Sequence, residues 1–536
     1  MKYPIGIQTF SQIIEQGFVY VDKTDMVYSL ATEGKVYTLN RPRRFGKSLL
    51  LSTLRAYFEG RKELFRGLKI EALEKDWHPH TVFHFDFNGI NFTQTGALET
   101  CIEGYLTEWE REYDIKNIAN ECLGIRFENI LKTAYERSGR GVVVLVDGYD
   151  KPLLDVLELN PELLSQNYST LMAFYSVFKP ADAYLRFIFL TGVTKLPQKS
   201  AFSGFNQSLD ISLYDRYEAL CGITEEELHS LFAEPIRQMA ALENCSEAEI
   251  RQRLKQQYDG YHFSERMTDI YNPFSILNAF DSQRIRDYWF ASGTPTYLIR
   301  LMNHFHEGID QLTGKYYSLE EFVNYKADVE YPLPMFYQSG YLTIKDYDKR
   351  RQTFLLDFPN NEVKSGFLTM VASNYLNMTE NVGNLAQNLT FALEDGELDL
   401  FRKQLTSFLA SIPYSMRRKS TEPERERYFQ YTFYLLLRLM SVYTVCIERE
   451  QSEGRVDCVV ETPKHVYIFE FKLDGSAEKA LQQIEEKGYA RPYEADKRTI
   501  YKIGVSFSSE TGTVEDWLIA EETSNRTLHD NLISDI

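Results

Sequence analysis

At 536 residues, 43% hydrophobic, with a Tyr- and Phe-rich aromatic share of 14%, the chain is long enough for about two to four folded domains with substantial cores. Its net charge of −18 excludes a surface that attracts nucleic acid as a whole, so any polyanion site has to be a local basic patch such as 41–47 or 417–419. Six cysteines at 101, 122, 221, 245, 446 and 458 form no C-x-x-C pair, which argues against a disulfide framework and a structural zinc site.

The opening MKYPIGIQTF lacks an apolar run, and no stretch approaches the length of a membrane span. A cytoplasmic location with no membrane partner is the expectation. The first strong signal follows at 36–60. A β-like run, Val36–Leu39, meets a tight basic loop and then an apolar-periodic helix (Leu50, Leu51, Leu54, Tyr57, Phe58) that Gly60 can end. Between them stands Gly46-Lys47-Ser48, the close of a phosphate-binding loop. Gly46 admits the backbone to a phosphate, Lys47 can reach the outer phosphates, and Ser48 offers a hydroxyl to Mg2+. The first glycine of G-x-x-x-x-G-K-[ST] is replaced by Arg41, with Pro42, Arg43 and Arg44 after it.

Val82–Phe87 alternates like a strand, whereas Val142–Val146 and Phe187–Leu190 are continuous apolar runs of the kind buried on both faces. Strands alternating with helices predict a parallel sheet with its ligand at the strands' C-terminal ends. The loop at 41–48, Asp147 and Thr191–Thr194 all fall at such ends. An acidic side chain closing a buried strand suits Mg2+, so Asp147 is the metal candidate beside Ser48. The residue after it is Gly148 where a hydrolytic Glu is usual, which predicts nucleotide binding with slow or absent hydrolysis. Asp150 reads equally well as a turn residue. His78, His80 and His84 have no carboxylate or Cys to complete a metal set and read as core or surface positions.

From 216 the pattern turns helical. Thr224-Glu225-Glu226-Glu227 is a capping box, Ser246–Glu249 opens a second helix, and Tyr271-Asn272-Pro273-Phe274 turns into a third. This region reads as a lid over the nucleotide. A helix, a turn and two strand-like runs (341–347, 353–358) then suggest a winged-helix-like module, with a plain connector as the alternative.

The C-terminal part predicts an αβββαβ unit: a long helix through 428–440, strands at 443–448, 456–461 and 466–472, a helix at 477–486 and a strand at 500–507. Alternation puts Glu470 and Lys472 on one strand face. Two charges on an interior-type strand point to a site. Asp457 and Glu470 can hold Mg2+ or Mn2+ through oxygen, Lys472 can orient water, and Glu426 can reach in from the helix as a further ligand.

YVDKT (20–24), RPRRFGKS (41–48), DGYDKP (147–152), FLTGVTK (189–195), Phe202-Ser203-Gly204, Cys221–Thr224 and YDGY (258–261) together resemble the bacterial AAA-ATPase-like proteins that carry a C-terminal PD-(D/E)XK nuclease domain. The D-x12-E-x-K spacing of Asp457, Glu470 and Lys472 is that nuclease pattern, with Gly454-Arg455-Val456-Asp457 in place of the family's G-R-x-D. Gln483 and Lys487 resemble its helical accessory motif. The family's Asp-Glu-Tyr-Asp-Lys-Pro is broken here by Gly148.

The fold class expected is therefore α/β multidomain. A P-loop NTPase (AAA-like) parallel sheet occupies 1–215, a helical lid and winged-helix-like region 216–375, and a helical bridge with an αβββαβ nuclease-like domain 376–536. Nucleotide-binding candidates are Arg44, Gly46, Lys47, Ser48, Asp147 and Thr191; catalytic candidates are Asp457, Glu470, Lys472 and Glu426. ATP and Mg2+ or Mn2+ are the expected cofactors, and nucleic acid, DNA ahead of RNA, is the expected partner. The alternative is a nucleotide-switched binding protein whose nuclease-like domain only recruits a partner. The sequence leaves homo-oligomer formation and the source of an arginine finger (Arg216 or a neighbouring subunit) open.

Overall fold

The structure, a computed structural model, describes residues 1–116, 122–195, 208–292, 312–323, 332–375, 382–411, 436, 444–451, 454–493 and 496–522. The chain divides into two compact units, Met1–Val363 and Lys364–Ile536.

The first unit is built on five parallel strands: β1 (Val36–Asn40), β2 (Val82–Asp86), β3 (Val142–Asp147), β4 (Leu185–Gly192) and β5 (Leu209–Asp210). Their spatial order is β2-β3-β4-β1-β5, so β4 is inserted between the strand that feeds the phosphate loop and the strand that ends in Asp147. β3 is buried along its whole length, as its β-branched run predicts. One face is covered by the helices Ala97–Glu112, Leu123–Ser138 and Pro161–Tyr175. They pack Trp109, Phe127 and Phe174 onto Phe83 and Phe85 of β2 and onto Val144 and Val146. On the other face Lys47–Phe58 buries Leu50, Leu51, Leu54 and Phe58, the last with its ring centroid 4.8 Å from that of Phe187.

The helical region begins at β6 (Ile223–Thr224), paired with β7 (Ile270–Tyr271). The helix Glu225–Leu231 carries the reciprocal capping box, with Thr224 Oγ1 accepting from the Glu227 N–H (3.3 Å) and Glu227 Oε2 from the Thr224 N–H (2.9 Å). Asn272 caps the helix Pro273–Ser282, its Oδ1 accepting from the N–H of Phe274 (3.0 Å) and Ser275 (3.3 Å). The YVDKT segment ties this region to the sheet unit: Lys23 lies 2.6 Å from both carboxylate oxygens of Glu227, with only 8% of its side chain exposed. A helix, Leu333–Gln338, then leads into a three-stranded antiparallel sheet of β8 (Lys315–Ser318), β9 (Thr343–Asp348) and β10 (Thr353–Asp357), in the order β8-β10-β9. The helix–turn–hairpin of the sequence reading is present, with β8 added to its edge.

The second unit holds a mixed sheet in simple order: β11 (Thr444–Gln451), β12 (Gly454–Glu461), β13 (His465–Leu473), β14 (Thr499–Phe507) and β15 (Val514–Glu522). All neighbours are antiparallel except β13 and β14, which are parallel and joined through the helix Ala477–Glu486. That is the predicted βββαβ order with one strand more; the helix expected through 428–440 lies, but for residue 436, outside the described residues. β15, VEDWLIAEE in sequence, is charged enough to be passed over, and an edge position accounts for that composition.

Candidate functional site

Two sites emerge, one in each unit. In the first, Gly46 adopts φ +88 directly before the helix Lys47–Phe58, a turn that L side chains rarely make. The helix N-terminus thereby faces a cavity of about 510 Å³ whose wall includes Arg44, Lys47, Ser48, Asp147 and Gly148. Lys47 Nζ donates to the carbonyls of Arg41 and Pro42, both at 2.9 Å, closing the loop on itself. Burial lowers the Lys47 ammonium pKa, with Asp147 and Asp150 pulling the other way.

The basic loop is not one uniform patch. Arg41, where a glycine is usual, is 1% exposed; its guanidinium donates to the carbonyls of Asn40 and Ser212 at 2.9 and 2.7 Å and stacks 4.1 Å over Phe263. Arg43 lies 5.6 Å over Trp289, whose Nε1 donates to the Arg43 carbonyl (3.1 Å). Arg44, at φ +67 and exposed, lies 4.9 Å over Phe274. The three arginines thus brace the loop on three aromatics of the helical region, and Arg41 is committed to structure.

At the strand ends, Thr191 Oγ1 donates to Asp147 Oδ1 (3.1 Å). Asp150 does not project as a free base. Its Oδ2 accepts from the N–H of Val193 (2.9 Å) and Thr194 (2.6 Å) and from Thr194 Oγ1 (2.9 Å), stapling the exits of β3 and β4 together. Burial pushes its carboxyl pKa up. Arg216 is paired with Glu33. The sequence reading missed the apolar wall, formed by Ile5 and Ile7 from the N-terminal segment and by Phe274 and Leu277 of the capped helix. The signal was available in the apolar residues just past the Asn272 cap.

In the second unit, the antiparallel register of β12 and β13 runs from Glu461 opposite Val466 to Cys458 opposite Phe469, and Asp457 and Glu470 are the next residues of the two strands. Asp457 Oδ2 accepts from the Phe471 N–H (2.8 Å). Glu470 is 1% exposed; its Oε1 takes a bond from Gln483 Nε2 and lies 3.4 Å from Lys472 Nζ. Lys472 Nζ donates to Gln483 Oε1 at 2.8 Å. Gln483 reaches this position because its helix runs close over β14 at Gly504, where a Cβ would stand 2.2 Å from the Ala477 carbonyl oxygen. Glu470 Oε2 is buried with no hydrogen-bond partner, and burial, reinforced by Asp457, raises the carboxyl pKa to about 7. Asp457, Glu470 and Lys472 therefore come together as expected, while Glu426 lies outside the described residues. Among the described residues no three of His, Cys, Asp and Glu converge on one point. The paired carboxylates with one orphaned oxygen are nonetheless a hard donor set of the kind a divalent cation takes.

Residues 4–202 match the family model described as Predicted AAA-ATPase, and residues 424–517 match that of the PD-(D/E)XK nuclease superfamily. A protein of Azotobacter chroococcum mcd 1, named as an uncharacterized protein in the vnfD 5' region, is 36% identical over 527 residues, 97% of this chain and 98% of its own length. The chain belongs to the AAA-ATPase-like family with a C-terminal PD-(D/E)XK nuclease superfamily domain. Among solved structures, the ORC1 protein of Aeropyrum pernix in complex with DNA is similar at 11% identity and TM-score 0.22, covering 82% of this chain and 89% of that one. Cdc6p of Pyrobaculum aerophilum is similar at 12% and 0.23, covering 66% and 91%. No helix among the described residues of this AAA-ATPase-like protein is long and apolar enough to cross a membrane.

Proposed function

We propose that this AAA-ATPase-like protein binds ATP in the cavity at Lys47 and uses its second unit to cleave nucleic acid phosphodiesters with Mg2+ or Mn2+, DNA being the first substrate to test. The observation that carries this reading is the buried Glu470 carboxylate, with one oxygen unpartnered beside Asp457 and the other bonded to Gln483 and near Lys472. Asp457 and Glu470 would hold the cation. When bound, it supplies charge stabilisation at a phosphodiester oxygen and lowers the pKa of water. Gln483 holds the Lys472 ammonium in place through its Oε1, so that Lys472 orients the attacking water and supports the charge developing on phosphate. Glu470 would take the cation as the carboxylate.

In the first unit Gly46 and the helix N-terminus cradle the phosphates, Lys47 and Arg44 neutralise them, and Ser48 with Asp147 serves the accompanying Mg2+. Thr191 holds that carboxylate in place through its hydroxyl, which donates to Asp147 Oδ1. Gly148 supplies no side chain to activate water, which supports slow ATP turnover.

A switched binding protein is the second reading, favoured by the lack of a side chain at 148 and by the net charge of −18. The two are separated by incubating the chain with labelled DNA and RNA, with and without ATP, in Mg2+ and Mn2+. Product formation supports the nuclease; nucleotide-dependent capture without product supports the switch.

A further inference from the structure

Gly148 sits at φ +70, and a Cβ built on it would stand 2.6 Å from Asn88 Oδ1, 3.0 Å from Asn88 Cγ and 3.2 Å from Asn88 Nδ2. The place where a side chain at 148 would begin is filled by the Asn88 amide. Asn88 follows β2, whose last residue Asp86 is in register with Asp147 of β3. Asp86 Oδ1 accepts from both the backbone N–H (2.9 Å) and Nδ2 (3.0 Å) of Asn88. With Nδ2 committed to Asp86, the amide oxygen is the end turned toward Gly148. Asn88 is exposed and stands in the wall of the same cavity as Lys47, Ser48 and Asp147.

We propose that Asn88 takes the water-facing position left by the missing side chain at 148, and that its amide oxygen orients the attacking water without accepting its proton. This rests on reading the cavity as the ATP site. In hydrolysis the water oxygen forms a bond to the γ-phosphorus while the bond from that phosphorus to the β–γ bridging oxygen breaks. ADP leaves with that electron pair, and the proton from water needs an acceptor. A carboxylate takes such a proton near neutral pH, whereas an amide oxygen is far too weak a base. Asn88 is thus a positioning residue, and the site holds ATP long relative to its turnover.

The direct test is Asn88→Asp, which puts a carboxylate where the amide stands. Binding of a fluorescent ATP analogue and single-turnover phosphate release are measured across pH on the full chain, with Asn88→Ala as control. The expected result is a phosphate-release rate raised roughly 100-fold in Asn88→Asp, in the range of one added general base. KM should change little, and the rate should rise with pH as the new carboxylate ionises. Asn88→Ala should bind the analogue and release phosphate more slowly than the unaltered chain, since the water loses its positioning contact. A second variant approaches the same gap from the other side: Gly148→Glu with Asn88→Ala should also gain, while Gly148→Glu alone, meeting the amide, should gain little. Retained analogue binding with no rate gain in either carboxylate variant overturns the role of Asn88 alone. No analogue binding by the unaltered chain overturns the cavity reading, and this proposal with it.

Discussion

Gln483 uses both ends of one amide on two residues of the same strand face, its Oε1 accepting from Lys472 Nζ at 2.8 Å and its Nε2 donating to Glu470 Oε1. Lys472 Nζ stands 3.4 Å from Glu470 Oε1, and Glu470 Oε2 is left without a hydrogen-bond partner, the atom proposed to take the cation. Replacing Gln483 by Ala is expected to collapse the spacing into a direct ion pair. Cleavage should fall by at least roughly tenfold, the usual cost of losing an outer-shell partner. Metal titration of the variant, read by calorimetry, should show weaker binding; unchanged affinity and rate would mean that Gln483 is a bystander.

Glu470 sets the pH dependence. Its folded pKa of about 7 lies above the ordinary carboxylate value of 4.5, so the metal-free folded state binds the extra proton. The stability tied to that proton is fully present below about pH 4.5 and is lost as pH rises through about 7. The shift corresponds to on the order of 3 kcal/mol at alkaline pH. Glu470→Gln should flatten the fall in denaturant midpoint between acid and alkaline pH. Cation binding reverses the logic, since it displaces the proton, so metal affinity should climb with pH through about 7.

Gly504 permits the helix that carries Gln483 to sit on the sheet. A methyl there meets the backbone oxygen of Ala477 at 2.2 Å and the backbone nitrogen of Leu481 at 2.8 Å, neither of which can rotate away. Gly504→Ala should cost about 1–3 kcal/mol of stability and lift Gln483 off its partners. Urea unfolding and cleavage assays on the same preparation should therefore both register the change.

Much of this was legible in the sequence. The β-branched run at 142–146 and the apolar run at 187–190 gave the buried strands, and period-two alternation put Glu470 with Lys472. Caps at Thr224 and Asn272 marked their helices because side-chain acceptors satisfy helix N–H groups locally. What was not legible depended on distant contacts. The commitment of Arg41 to carbonyls near 212 and to Phe263, and the stapling of Val193 and Thr194 by Asp150, are set by strand order, which local pattern does not encode. Asn88 escaped notice for the same reason, since it matters only once β2 lies beside β3.

Lys23 illustrates a motif residue whose work is joining. It is bonded to Glu227 of the capping box, and only 8% and 22% of the two side chains are exposed. Lys23→Met leaves Glu227 without its cation, and the expected loss is about 3 kcal/mol. Lys23→Met with Glu227→Gln, whose amide oxygen keeps the bond from the Thr224 N–H, should recover most of it. Thermal unfolding of both variants decides the point, and equal losses would show that the pair contributes nothing beyond packing.

Asp457, Glu470 and Lys472 are proposed to form a working metal-dependent phosphodiesterase site. The most direct measurement is cleavage of end-labelled DNA and RNA by the full chain in Mn2+ and Mg2+, beside Asp457→Ala and Lys472→Ala variants verified as folded. Metal-dependent products are expected from the unaltered chain, and their loss, by at least about 100-fold, in both variants. Products of equal yield from either folded variant, or intact substrates throughout with both metals, would contradict the proposal.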